Sequence, residues 1–284
     1  MRTDETAVRT DHRQRRALAH VAARAKGGPA DGDWRVNLHF HPDRRFGGEP
    51  ILAAMAGEGR YRSQFETGTS NGGLTAYPGG DRWRWESRLF GGAYDEAPAA
   101  ARPVYGALNF RRRTIGGAPR FGSAHFRMSR ECLARSTFCY PDSFLEPVDV
   151  GIASRMALPA KALADDKDLI DDYIEAQVHG PVLLGEDVEA LVLDPCFRDS
   201  EVEQLAKALP CALEWHPGRR LLVEDLRGRP EFRGQHIVDL GLSLARNGHL
   251  DARIVGDAAR TGEHVEQELK RVWHYIARFG APIE

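Results

Sequence analysis

The chain has 284 residues, 42% of them hydrophobic and 28% charged, with a formal net charge of -2. These values are ordinary for a globular chain that can bury one large core or two modest ones, and they argue against a protein built around one large basic surface. Local basic patches stay possible, so nucleic acid is not excluded as a partner.

Only five of the 39 basic residues are lysine, and Cys132, Cys139, Cys196 and Cys211 show neither CxxC pairing nor zinc-ribbon spacing. Met1 to Arg24 is charged and lacks an apolar h-region, and no apolar run approaches the ~18 residues that a bilayer span needs. The expectation is a soluble, cytoplasmic chain with no membrane partner.

In chain order, residues 13 to 25 read as a helix, closed by a Gly- and Pro-rich break at 27 to 32. Trp34 to Phe40 reads as a strand, Pro50 to Ala56 as a short helix and Arg60 to Glu66 as another strand. Thr67 to Gly92 is dense in glycine, with Tyr77, Trp83, Trp85 and Phe90 interleaved. Val104 to Phe110 and Arg120 to Met128 read as strands. An acidic approach (Asp165, Asp166, Asp168, Asp171, Asp172) leads to two strands, Ile174 to His179 and Val188 to Asp194, joined by a Gly-Pro turn. Beyond Pro195, helices are predicted at Glu201 to Leu209, Ile237 to Arg246 and Gly262 to Phe279, with a short strand at Arg220 to Val223. The pattern favours α+β. It divides into an N-terminal helical segment (1–30), a β-rich catalytic part (31–196) and a C-terminal helical region packed on the core (197–284).

Four strands share a design, because side chains alternate between the two faces of a strand. Asn37, His39 and His41 share a face, as do Arg62, Gln64 and Glu66; Ser123, His125 and Arg127; and Glu175, Gln177 and His179. Any one of these could be a solvated face, but repetition across four strands suits a nucleotide-binding cleft. His39-Phe40-His41-Pro42-Asp43 also has a metal-chelating spacing, similar over a short stretch to the first motif of amidohydrolase and phosphoesterase barrels. Thr67-Gly68-Thr69-Ser70-Asn71-Gly72-Gly73 could turn backbone N–H groups toward an anion, although it lacks the P-loop lysine.

Gln64-Phe65-Glu66-Thr67-Gly68, Phe90-Gly91-Gly92-Ala93-Tyr94-Asp95, Tyr105-Gly106-Ala107-Leu108-Asn109 and Arg120-Phe121-Gly122-Ser123 resemble a bacterial family with no assigned activity. Glu175 to Val192 is similar to the last catalytic motif of ADP-ribosyltransferases, especially the DarT-type enzymes that modify nucleic acid. That resemblance implies a split mixed or antiparallel β-sheet core of ADP-ribosyltransferase-like type with flanking helices, and NAD as substrate. It implies Glu175 on the ribose 2′-hydroxyl and Arg62 on the pyrophosphate or on Glu175. Gln177 would face a nucleic-acid or protein acceptor, and Ser123 and His125 the nicotinamide. His39, His41, Gln64 and Thr67 complete the expected NAD-binding set, and no metal is required. Two alternatives stand beside it: a metal-dependent hydrolase built on His39 and His41, and a nucleotide- or protein-binding module without chemistry.

Overall fold

The protein is described by a computed structural model covering residues 11–68 and 75–283. Period-two alternation marks several of the strands, and eight strands hydrogen-bond into one sheet. They are β1 (Val36–Phe40), β2 (Val104–Leu108), β3 (Ala124–Met128), β4 (Ser136–Tyr140), β5 (Asp149–Ile152), β6 (Ile174–Val178), β7 (Val188–Leu193) and β8 (Ala212–Trp215). Their order across the sheet is β8-β7-β3-β1-β2-β6-β4-β5. All neighbours run antiparallel except β7 and β8. The helices are α1 (His12–Ala22), α2 (Ile51–Glu58), α3 (Asp81–Phe90), α4 (Leu158–Ala164), α5 (Glu201–Lys207), α6 (Gln235–Leu244), α7 (Ala252–Thr261) and α8 (Glu266–Phe279), with shorter turns between them. The chain is therefore α+β, with a mixed, mostly antiparallel sheet and flanking helices.

The sheet has one apolar and one polar face. Leu38, Phe126, Phe138, Ala176 and Leu191 belong to a single core that α2 closes with Leu52 and Met55. Each fully buried Leu or Phe in this layer contributes about 2 kcal/mol. On the opposite face, register aligns His39 with His125, Asn37 with Ala107, Ala107 with Glu175, and Gln177 with Tyr105 and Thr137. At the β4–β5 end this face is covered by α1 and α3, through Ala17, Val21, Trp85 and Phe90 packed on Cys139 and Val150. At the other end sit the C-terminal helices, where Trp273 of α8 donates to the Pro119 carbonyl at 2.9 Å.

Several elements differ from the sequence expectation. Arg60 to Glu66 is not a strand: only Arg60–Tyr61 is extended, and Gln64–Thr67 forms a helical turn. Ser63 and Glu66 close a reciprocal capping box there, which outweighs the alternating pattern. The strands on either side of Gly180-Pro181 are not a hairpin. β6 lies between β2 and β4, whereas β7 pairs with β3 and β8. The C-terminal region is not purely helical, since it supplies β8. The glycine-dense stretch contains α3, framed by Gly80 at its N-cap and by Gly91, left-handed at φ 59°, at its C-cap. Thr69 to Gly73 of the proposed anion loop lie outside the described residues.

Candidate active site

The seam between β1 and β2 is the narrowest pairing inside the sheet. Only Val36↔Leu108 and Asn37↔Ala107 are in register, whereas β2 and β6 pair over five residues. Gly106 permits the close approach at this seam, because a Cβ there would lie 2.6 Å from the Asn37 carbonyl oxygen. Where pairing stops, a cavity of about 680 Å³ opens, lined by His39, His41, Val104, Tyr105 and Glu175 among others. Arg82 of α3 and Lys270 of α8 also line it, so both helical layers contribute walls to it.

Glu175 is held from several sides in this cavity, and 7% of its surface stays exposed. Its Oε2 accepts from the Ser143 backbone N–H at 3.1 Å and from the Ser143 hydroxyl at 2.7 Å. Its Oε1 accepts from Gln177 Nε2 at 3.0 Å and from the Cys139 thiol at 3.8 Å. Arg82 donates to the Ser143 hydroxyl oxygen at 2.7 Å, stands 3.7 Å from Glu175 Oε1, and lies over the Tyr105 ring at 4.0 Å. Tyr105 donates in turn to Glu86, which also pairs with Arg102 at 2.5 Å. Burial lifts the Glu86 carboxyl to about 7, against the opposing pull of Arg102.

Behind Glu175 the polar residues of β6 form a closed relay. Gln177 Nε2 is committed to Glu175, and its Oε1 accepts from the Thr137 hydroxyl at 2.8 Å. With its proton so used, Thr137 accepts from His179 Nε2 at 3.0 Å, leaving Nδ1 to accept from the Tyr94 hydroxyl at 2.7 Å. His179 is therefore neutral, and burial depresses its pKa to about 3.

The predicted residues divide accordingly. Glu175, Arg62, His39, His41, Gln64 and Thr67 all line the one cavity. Gln177 does not: it is fully buried in the relay and positions Glu175, so it cannot face an acceptor. Arg62 lines the cavity but is bound to Glu58 and lies over Phe46 at 4.9 Å; it is Arg82 that meets Glu175. Ser123 is buried, and His125 lines a different cavity beside Arg127 and Trp215, so neither borders the space in front of Glu175. His39 is a satisfied buried imidazole. Its Nε2 accepts from the Ala118 N–H at 3.1 Å, which leaves Nδ1 to face the Gly122 carbonyl at 3.4 Å, and burial lowers its pKa to about 3. With both nitrogens engaged by backbone, His39 has no lone pair to offer an ion. Among the described residues no group of three or more His, Cys, Asp or Glu side chains is placed to hold a metal.

Sequence reasoning missed Arg82, Ser143, Glu86, Arg102 and Tyr105. Local signals mark only the elements that carry two of them, a Gly-Gly-Asp helix start ahead of Arg82 and a Pro-Asp-Ser turn at 141 to 143, and none marks their meeting with Glu175.

The profile of the family described as protein of unknown function (DUF3626) matches residues 35–167 and 162–279. These stretches include all eight strands and the cavity walls on both sides, and the chain belongs to that family. No curated protein matches it. Among the described residues no helix is long and apolar enough to cross a membrane.

Proposed function

We propose that this chain is an ADP-ribosyltransferase-like enzyme that cleaves NAD at the nicotinamide glycosidic bond and transfers ADP-ribose to a nucleic-acid or protein acceptor. One observation carries the reading: Glu175 lies in a cavity of about 680 Å³ at the seam where the sheet parts, with its carboxylate immobilised by Ser143, Gln177 and the neighbouring Arg82. That volume is in the range of small-molecule and cofactor sites. The short β1–β2 pairing supports a split-sheet architecture of ADP-ribosyltransferase type, and the similarity of Glu175 to Val192 to the last motif of DarT-type enzymes points to the same chemistry.

Departure of nicotinamide leaves an oxocarbenium-like ribose. A fixed carboxylate beside it stabilises the developing positive charge without reorganising during the reaction. Glu175 keeps its orientation because Ser143 and Gln177 hold both oxygens, and a ribose hydroxyl would take the site on Oε1 that the Cys139 thiol fills only weakly at 3.8 Å. Arg82 and Ser143 are positioning residues in this scheme. NAD added to the purified chain is expected to raise its melting temperature, and Glu175→Gln to keep that shift while losing product formation. Product formation undiminished in Glu175→Gln would remove the assignment. The metal-hydrolase alternative predicts near-stoichiometric zinc or manganese that is lost in His41→Ala, which elemental analysis reads directly.

A further inference from the structure

The C-terminal helix brings a separate chemistry to the cavity. Lys270 and His274 stand one turn apart on α8. Lys270 lines the cavity. His274 is 5% exposed, and neither of its ring nitrogens has a hydrogen-bond partner. The charged and ionisable groups that act on it are Arg120, Arg233, Lys270 and His41, of which Arg120, Lys270 and His41 line the cavity. The helix is fixed in this position by Trp273, which donates to Pro119 and meets His41 edge-on at 5.3 Å. Acidic groups share the cavity: Glu58, Asp142, Glu175 and the exposed Glu266 line it, Asp171 pairs with Arg120, and Glu266 lies 3.8 Å from Arg44 and acts on Lys270.

A buried imidazole with no partner is costly, because its polar nitrogens have given up water without replacement. Placing it among cations depresses its proton affinity further. His274 stands behind the cavity lining, and an oxyanion held by Arg120, Lys270 and His41 would reverse both effects once the His274 ring turns toward the site. It would accept from an imidazole N–H, and its charge would favour protonation of the second nitrogen. Four donor side chains exceed what a single carboxylate needs, and they suit the several oxygens and higher charge of a phosphoryl group.

We propose that Arg120, His41, Lys270 and His274 form a phosphate subsite, so that the ligand of this cavity carries a phosphate or diphosphate. Half of the subsite comes from the sheet side of the molecule and half from α8, which gives the C-terminal region a part in ligand binding as well as in packing. The proposal does not depend on cleavage of NAD, since any nucleotide or sugar phosphate would meet the same groups.

The test is calorimetric titration of the full chain with inorganic pyrophosphate, with acetate as a control. Saturable single-site binding is expected, weakened roughly tenfold or more by Lys270→Ala and by His274→Phe and not weakened by Glu175→Gln, which removes a negative charge from the same cavity. In the native chain the His274 imidazole should titrate at higher pH with pyrophosphate bound. Because His274→Phe replaces a buried side chain and can fail to fold, Lys270→Ala and Arg120→Ala on the cavity wall keep the test decisive. No saturable binding by the native chain, binding left intact by both wall variants, or binding abolished by Glu175→Gln would each overturn the subsite. Pyrophosphate binding without nicotinamide release would leave the subsite standing and remove only the NAD reading.

Discussion

Four hydrogen-bond donors converge on the Glu175 carboxylate, and the side chain has little freedom left. Isosteric replacement is therefore not neutral. In Glu175→Gln an amide NH2 must face either the Ser143 N–H and hydroxyl or the Gln177 amide. We expect a loss of ~1–3 kcal/mol of stability from the resulting donor–donor clash, measured by urea unfolding. An unchanged midpoint would show that the carboxylate is not held as described. Activity should fall much further than stability, by at least ~10²-fold if the ribose cation is stabilised here. Ser143→Ala removes the hydroxyl that bridges Arg82 and Glu175. It should lower kcat by roughly tenfold with little change in KM, because it acts through the orientation of Glu175 and touches no substrate. A change confined to KM would place Ser143 in substrate contact.

Between elements, the β1–β2 seam is where the sheet is most easily disturbed. Gly106→Ala would drive a Cβ to 2.6 Å from the Asn37 carbonyl and 2.7 Å from Leu38 Cδ2. We expect it to cost ~1–3 kcal/mol through forced separation of the strands, and to weaken NAD binding because the cavity begins at that point. Wild-type stability and NAD affinity in this variant would contradict the seam as the origin of the cavity. Strands β1, β3 and β6 were legible in the sequence because period-two alternation over five residues is a local signal, and their polar faces proved to be one face of one sheet. Strands β4 and β5 escaped notice because Ser136 to Tyr140 and Asp149 to Ile152 have no clean alternation of charge. Helix α3 was hidden by the glycines on both sides of it. The partners of Glu175 were beyond reach for a different reason: Arg82 and Ser143 lie 93 and 32 residues away in the chain and meet it only through tertiary packing.

Across the whole molecule, buried titratable groups set a direction for pH dependence. Burial depresses His39 and His179 to about 3 and His274 to about 2, from an ordinary value of 6.5. The unfolded chain takes up these protons first, so the stability they contribute is complete above pH 6.5 and is lost as pH falls toward 3. Asp43 and Glu86 oppose this. Their folded values are raised by burial to about 6 and about 7, so their ionised forms disfavour folding and their effect lowers stability as pH rises from about 4 to 7. The imidazoles lowered by burial (His39, His41, His125, His179 and His274) outnumber the carboxyls that burial raises (Asp43, Glu86 and Asp194), so the net effect is a loss of stability on acidification between pH 6 and 4.5. Urea unfolding at pH 7.5, 6 and 4.5 reads it, and a midpoint that rises on acidification would be inconsistent with neutral buried histidines.

In the proposed function, Glu175 faces the ribose of NAD in the cavity between β1 and β2. The measurement that meets it most directly is nicotinamide release from NAD by the purified chain, beside Glu175→Ala, with NAD binding followed in the same samples. Nicotinamide is expected from the native chain and none from the variant. Neither release nor an NAD-dependent thermal shift in the native chain would contradict it.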